Sequence, residues 1–305
     1  MRGIPYIVTL HDAWWISDHQ FLLDGQDRMR MPWDTEAYET AGNPHSRIES
    51  WSRRLRLCMV LEKAAAVHAV SESFAQLYRR TGVPKTKAIP NGLPKMPPLM
   101  PMLNASGRAR LGHIGGIMPH KGYFLLRKTL FFGRFNNLDL LVVDNSMKPG
   151  EQRHEIWGIT PVKIIGKVAH ERIGELYGSF DILCAPSLWP ESYGLVAREA
   201  MHYGKWVIAS SRGAMGEDVV SGQNGWVIDV SDSDGLSQVL REIDDNPQKF
   251  IRPPSLPVSL RPVSEQVMEL TGIYLKIIKE QHETHSTKKQ KMVNKNERMR
   301  RNKTS

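Results

Sequence analysis

A chain of 305 residues with 41% apolar side chains, 8 Trp, 8 Tyr and 8 Phe has enough hydrophobic bulk for two packed domains, which excludes a wholly disordered protein. Its formal charge of +9 is concentrated at one end, where 281–305 holds eight Lys and Arg against Glu283 and Glu297, so the body is only mildly basic. No apolar run approaches the ~20 residues that span a bilayer, residues 1–10 are too short and too interrupted by Pro5 for a signal sequence, and Cys58 and Cys184 lack metal-ligand spacing. The expectation is a soluble, cytoplasmic protein with two buried thiols.

Taken along the chain, 4–10 reads as a buried strand. Residues 47–66 read as a helix, with Ile48, Trp51, Leu55, Val60 and Leu61 near helical spacing and Arg53, Arg54 and Arg56 on another face. A short strand over 65–70 leads to a helix capped by Ser71, and a strand over 85–89 stops at Pro90, Asn91 and Gly92. The stretch 93–107 carries four prolines and little periodicity, which marks a linker. Strands are then predicted at 109–114, 138–143, 161–165, 181–185, 206–210 and 226–229. Helices are predicted after 122 to about 132, at 170–179, 194–203 and 234–243, and last at 268–278. Strands separated by single helices indicate a parallel sheet covered on both faces. The divisions expected are 1–92, the linker 93–107, 108–250, a helical segment 251–280 and a basic disordered tail 281–305.

The densest chemical signal is PSLWPESYGLVAREA over 186–200, which follows a strand and runs into a helix, at the carboxyl edge where open α/β sheets bind ligands. Gly194 allows close approach to the first helical turn. The free amides of Gly194 and Leu195, with the positive end of the helix dipole, suit a diphosphate. Glu191 lies just before the helix and Glu199 about 7.5 Å along it, so two carboxylates flank the anion position and could accept hydrogen bonds from hydroxyls on either side. The plainer alternative makes Glu191 a solvated loop residue and Glu199 half of a structural ion pair. His11 and Asp12 close the first strand at another such edge, where His11 could serve a ligand or simply be held by Asp12 in a loop. His120 and His170 read as surface or turn residues.

Set in this frame, Glu191 and Glu199 form an E-x7-E pair that resembles the retaining glycosyltransferases of family 4, which have the GT-B architecture of two Rossmann-like doubly wound domains. Four other stretches agree in order: the glycine-rich loop 111–122 ending in Lys121 and Gly122; 163–168; 213–225 with Glu217, Gly222, Asn224 and Gly225; and 67–71 followed by 89–92. The resemblance covers roughly 5–280. It implies that Glu191 binds sugar hydroxyls, Glu199 the nucleoside ribose and Lys121 the donor phosphates, with Gly115, Gly116, Ser192, Tyr193, Gly194 and Leu195 completing the donor site. His11, Lys121 and Glu191 would be the catalytic set. Transfer from a nucleotide-sugar to a saccharide or lipid-linked acceptor would retain anomeric configuration, in surface polysaccharide or glycolipid synthesis, with no metal or cofactor required. Family members usually carry an arginine where this chain has Gly116; Arg212 and Lys167 are candidate substitutes.

Family members also begin with a strand and a glycine-rich loop roughly a hundred residues before the His-Asp pair. The first domain here offers about three strands and is expected to be incomplete. The alternative function is therefore a truncated, non-catalytic nucleotide-sugar-binding or scaffold protein. The arginines of 47–66 read either as a solvated face or as a peripheral contact with an anionic membrane at its inner face. No nucleic-acid partner is expected, because no basic face rich in aromatic residues supports one.

Overall fold

A computed structural model of the chain describes residues 4–24, 26, 28–33, 47–232, 234–256, 258 and 260–301. The first sheet is parallel and three-stranded, in the order β1 (Ile7–Leu10), β2 (Ala66–Ala69), β3 (Lys87–Ala88). It packs with α1 (Arg47–Lys63) and α2 (Glu72–Arg80) around Leu10, Leu61, Val67, Phe74 and Tyr78. Ser71 caps α2 by accepting a bond from the Phe74 amide, as the Ser-Glu-Ser start predicts.

The second sheet has seven strands: β4 (Ala109–His113), β5 (Leu138–Val143), β6 (Gln152–Trp157), β7 (Thr160–Ile165), β8 (Ile182–Ala185), β9 (Trp206–Ser210) and β10 (Gly225–Ile228), in the order β10-β9-β8-β4-β5-β7-β6. Its strands alternate side chains between two cores. One face packs with α3 (Tyr123–Gly133) and α6 (Gly235–Asp245) through Leu126, Leu130, Leu236 and Leu240. The other packs with α4 (Ile173–Gly178) and α5 (Leu195–His202) through Leu176, Tyr177, Ala197 and Ala200. From β4 the chain moves outward one way to β5, and on the other side of β4 lies β8. The loops after β4 and β8 therefore diverge, and open α/β sheets bind ligands in the crevice at such a switch point.

Several expectations need correction. Residues 152–157 form the edge strand β6, antiparallel to β7 across a tight turn at Gly158 and Ile159. Its Gln-Arg-His-Glu run alternates nothing apolar, so no strand signal was present. The linker is not loose: Met100 and Met102 donate amide bonds to the carbonyls of Gly174 and Gly178 on α4, and Tyr203 donates its hydroxyl to Pro97 O. After α7 (Pro247–Phe250), α8 runs from Val263 to Arg301, so the backbone of 281–301 is helical where a disordered tail was expected. Cys184 is buried, its thiol pushed up to about 12 by desolvation, but Cys58 is only half-buried.

The amphipathic reading of α1 holds at Leu61, which is buried, and fails over its first three turns. Arg53 pairs with Asp18 at 3.0 Å and lies over the Trp14 ring at 4.2 Å, while Arg54 donates to Ile16 O and Pro32 O. Two of the arginines expected to face lipid or water are thus docked on the loop after β1, and the side chain of Arg47 lies outside the described residues. Ile48, Trp51, Leu55 and Met59 face outward instead, with Trp51 62% exposed.

Candidate active site

The switch-point crevice is assembled from three backbone segments. After β4, residues 114–122 turn through a short 3-10 segment (Pro119–Lys121) into α3. Leu188 donates its amide to His120 O at 2.9 Å, and a side chain at Gly122 would place its Cβ 1.9 Å from Pro186 O, so this loop lies directly against the loop after β8. The third segment follows β9: Ala214 donates to Glu191 O at 2.8 Å, and Glu191 pairs with Gly213 in a parallel bridge. Gly194 then enters α5 with φ 73 and ψ 48, a left-handed conformation that suits glycine.

This packing brings Lys121 and Glu191 together. Lys121 Nζ donates to Glu191 Oε1 at 2.6 Å, and Ser187 Oγ donates to the same oxygen at 2.9 Å. Glu191 is only 6% exposed, so it is not the solvated loop residue of the plainer alternative. Glu199 is equally buried and, among the described residues, forms no ion pair. Tyr177 donates its hydroxyl to Glu199 Oε2 at 2.7 Å, which accounts for one carboxylate oxygen. Burial holds the Glu199 carboxyl above its ordinary range, and the Tyr177 bond and nearby His170 pull it part of the way back. A buried carboxylate with a hydroxyl on one oxygen can accept ligand hydroxyls at the other.

The remaining predicted residues divide. Gly115 and Gly116 follow β4 after Ile114, and Gly116 has φ 71. A Cβ at Gly115 would lie 2.9 Å from Lys121 Cβ, so that residue is pressed against the lysine stem. Leu195 begins α5 half-exposed, whereas the side chain of Tyr193 is turned away: its hydroxyl donates to Asn91 O at 2.6 Å and its ring lies under Arg198. Ser192 contributes no hydrogen bond to the cluster. His11 is exposed just after β1, has no side-chain hydrogen bond among the described residues, and lies close enough to disfavour protonation of His68. The structure does not bring His11 into contact with Lys121 or Glu191. Asp12 instead organises the following loop, accepting from the Trp14 amide and from Gln20.

Of the two candidate substitute cations, Arg212 lies in the crevice wall but donates to Leu188 O at 2.5 Å. Lys167 lines a separate cavity over the face of β4, β5, β6 and β7. Sequence reasoning missed an aromatic cluster over the Lys121–Glu191 pair. Phe21 stacks on His120 at 4.4 Å between ring centroids and meets Trp189 edge-on at 5.0 Å, joining the first domain to the second. The Trp at 189 inside the motif was the available signal; nothing in the sequence pairs it with Phe21. Tyr177 was equally invisible, since its role needs the packing of α4 on α5. Among the described residues no cluster of three or more His, Cys, Asp or Glu could hold a metal, and no helix is long and apolar enough to cross a membrane.

Comparison with known proteins agrees with this geometry. The profile of the family described as glycosyl transferases group 1 matches residues 103–252, and that of the glycosyl transferase 4-like domain matches 1–92. A phosphatidyl-myo-inositol mannosyltransferase of Mycolicibacterium smegmatis is 31% identical over 134 residues, 43% of this chain and 34% of that protein. A D-inositol 3-phosphate glycosyltransferase of Rhodococcus opacus is 33% identical over 82 residues, 27% of this chain and 18% of that protein. The matched stretches thus span about a third or less of these curated relatives. Sucrose-phosphate synthase from Thermosynechococcus elongatus shares the fold with a TM-score of 0.58 at 20% identity, over 77% of this chain and 64% of that one. An Anabaena protein, HepE, solved in complex with UDP, does so with a TM-score of 0.54 at 21% identity, over 81% and 64%.

Proposed function

The chain belongs to the family 4 glycosyltransferases of GT-B architecture, and from that premise we propose that it transfers a sugar from a nucleotide-sugar to a saccharide or lipid-linked acceptor with retention of configuration. The observation that carries this reading is the crevice itself: a glycine-started helix with free amides, flanked by buried Glu191 and Glu199, with Lys121 beside Glu191. The amides and Lys121 Nζ hold the diphosphate and stabilise the charge that grows on it as the glycosidic bond breaks. Glu191 takes a sugar hydroxyl and Glu199 a ribose hydroxyl. Glu191 Oε1 already accepts from both Lys121 and Ser187, which suits holding a sugar better than attacking its anomeric carbon. Acceptor attack on the face the phosphate leaves, with the departing oxygen taking the acceptor proton, retains configuration without a covalent intermediate. Positive charge comes from protein groups on this account, so turnover should survive EDTA.

The names of the mannosyltransferase and inositol-phosphate relatives favour a polyhydroxylated, lipid-linked or phosphorylated acceptor. The outward stripe Ile48, Trp51, Leu55 and Met59 on α1, flanked by exposed Arg56 and Lys63, supports a peripheral contact with an anionic membrane on the cytoplasmic side, made by the apolar side chains rather than by Arg53 and Arg54. One observation favours a second reading, donor binding without transfer: Gly116 stands where the family pattern has an arginine, and Arg212 is committed to Leu188 O. A thermal-shift screen against UDP-, GDP-, ADP- and dTDP-sugars, with Glu199→Ala as control, tests the site. Stabilisation by one donor class, lost in the variant and followed by an α-linked product from an α-linked donor, supports transfer. Stabilisation without product supports the second reading, and no stabilisation by any donor contradicts both.

A further inference from the structure

The two domains touch at bonds that the donor site does not need, and two of the residues that make them, Tyr193 and Glu217, are held by one guanidinium. Arg198 lies on α5 immediately before Glu199 and is 6% exposed. It donates to Tyr193 O and to Ala214 O, the carbonyls of the two segments that meet at Gly194. It lies 4.2 Å over the Tyr193 ring and pairs with Glu217 at 3.1 Å and Asp218 at 2.8 Å. Two of these neighbours reach the first domain or its exit. Glu217 Oε1 accepts the amide of Ser73 at 2.8 Å, in the first turn of α2, and Tyr193 donates its hydroxyl to Asn91 O at 2.6 Å.

The Ser73 bond has a clear physical logic. The first amides of a helix have no intrahelical partner. Ser71 supplies the Phe74 amide, and Glu217 from the other domain supplies that of Ser73, with its charge at the positive end of the α2 dipole. The other oxygen of Glu217 is held by Arg198, which also holds the carbonyl preceding Gly194.

We propose that Arg198 and Glu217 are positioning residues that couple domain docking to the shape of the phosphate-binding turn: when α2 leaves Glu217, Arg198 loses a fixed partner and the 193–197 turn loosens. By linkage, a ligand that orders this turn must favour the docked arrangement by the same factor. The coupling is a property of protein contacts, so it stands or falls apart from the assignment of a donor.

Its test is amide hydrogen exchange on the full unliganded chain. Ser73→Pro removes the donated N–H within the first helical turn, where proline is tolerated, and Glu217→Ala removes the acceptor. Each is expected to raise exchange at 193–197 about tenfold, the scale of one hydrogen bond, while β8 and β9 keep their protection. The double variant is expected to loosen the turn no further than either single one. Exchange that rises in α2 alone, or effects that add in the double variant, overturns the proposal. If the alanine variant loses protection in β8 and β9, Glu217→Gln replaces it, keeping the volume while leaving one acceptor oxygen where Ser73 and Arg198 each had one.

Discussion

Lys121 and Glu191 are paired at 2.6 Å before any ligand arrives, and this sets what each can do. The lysine is pre-positioned, so it need not be ordered when charge develops on a leaving diphosphate. Lys121→Met is therefore expected to lower kcat about 100-fold, the loss typical of removing one aimed stabilising group, with a smaller change in donor KM. Glu199 differs because desolvation opposes its charge. Its folded value is raised, so it stays protonated to higher pH than an ordinary glutamic acid, and ionises only above that raised value. Since the carboxylate is the better acceptor for ribose hydroxyls, donor affinity should fall as pH drops through the raised value. A nucleotide-sugar, whose diphosphate has no secondary ionisation near neutrality, is the right probe. Titration calorimetry of Glu199→Gln should show a flattened profile; an unchanged one would remove Glu199 from the site.

At the scale of elements, the site depends on two turns that tolerate no side chain. A methyl at Gly194 would sit 2.9 Å from Met215 Cα in a left-handed conformation that itself costs about 1–2 kcal/mol. Gly194→Ala should keep its circular dichroism yet lose donor stabilisation in a thermal shift, because the turn must rotate its amides away. The main elements of the second domain were legible because strands such as 138–143 and 206–210 are apolar runs bounded by turns, and the E-x7-E frame singled out two carboxylates that the structure buries on either side of the start of α5. What could not be read was set by partners distant in sequence. β6 is polar over its first four residues, and its ladder with β7 carries it into the buried Trp157. Asp18 and backbone carbonyls hold Arg53 and Arg54 against the loop after β1, while Leu61 enters the core and Trp51 and Leu55 face outward. Tyr177, Phe21 and Glu217 act through contacts no motif spells out.

For the whole molecule, acid stability offers a test of how the second sheet is built. His113 is fully buried, its Nδ1 3.0 Å from Cys184 O, and burial lowers its pKa. The unfolded chain takes up that proton first, so stability should fall as pH drops below about 6.5, with a slope reaching about 1.4 kcal/mol per pH unit for one proton. Urea titrations of His113→Gln should show a shallower fall, the remainder including His68, which is lowered by the same cause. On α1, Trp51→Ala with Leu55→Ala should reduce cosedimentation with vesicles containing phosphatidylglycerol, leaving donor binding intact. The central claim, that a diphosphate binds at the start of α5 between two buried glutamates, is tested most directly by a crystal structure with the stabilising nucleotide-sugar. Its phosphates should lie within hydrogen-bond distance of the Gly194 and Leu195 amides and of Lys121 Nζ, with Glu199 on the ribose. Phosphates found instead in the cavity of about 980 Å³ beside Arg108, Lys163 and Lys167 would contradict it.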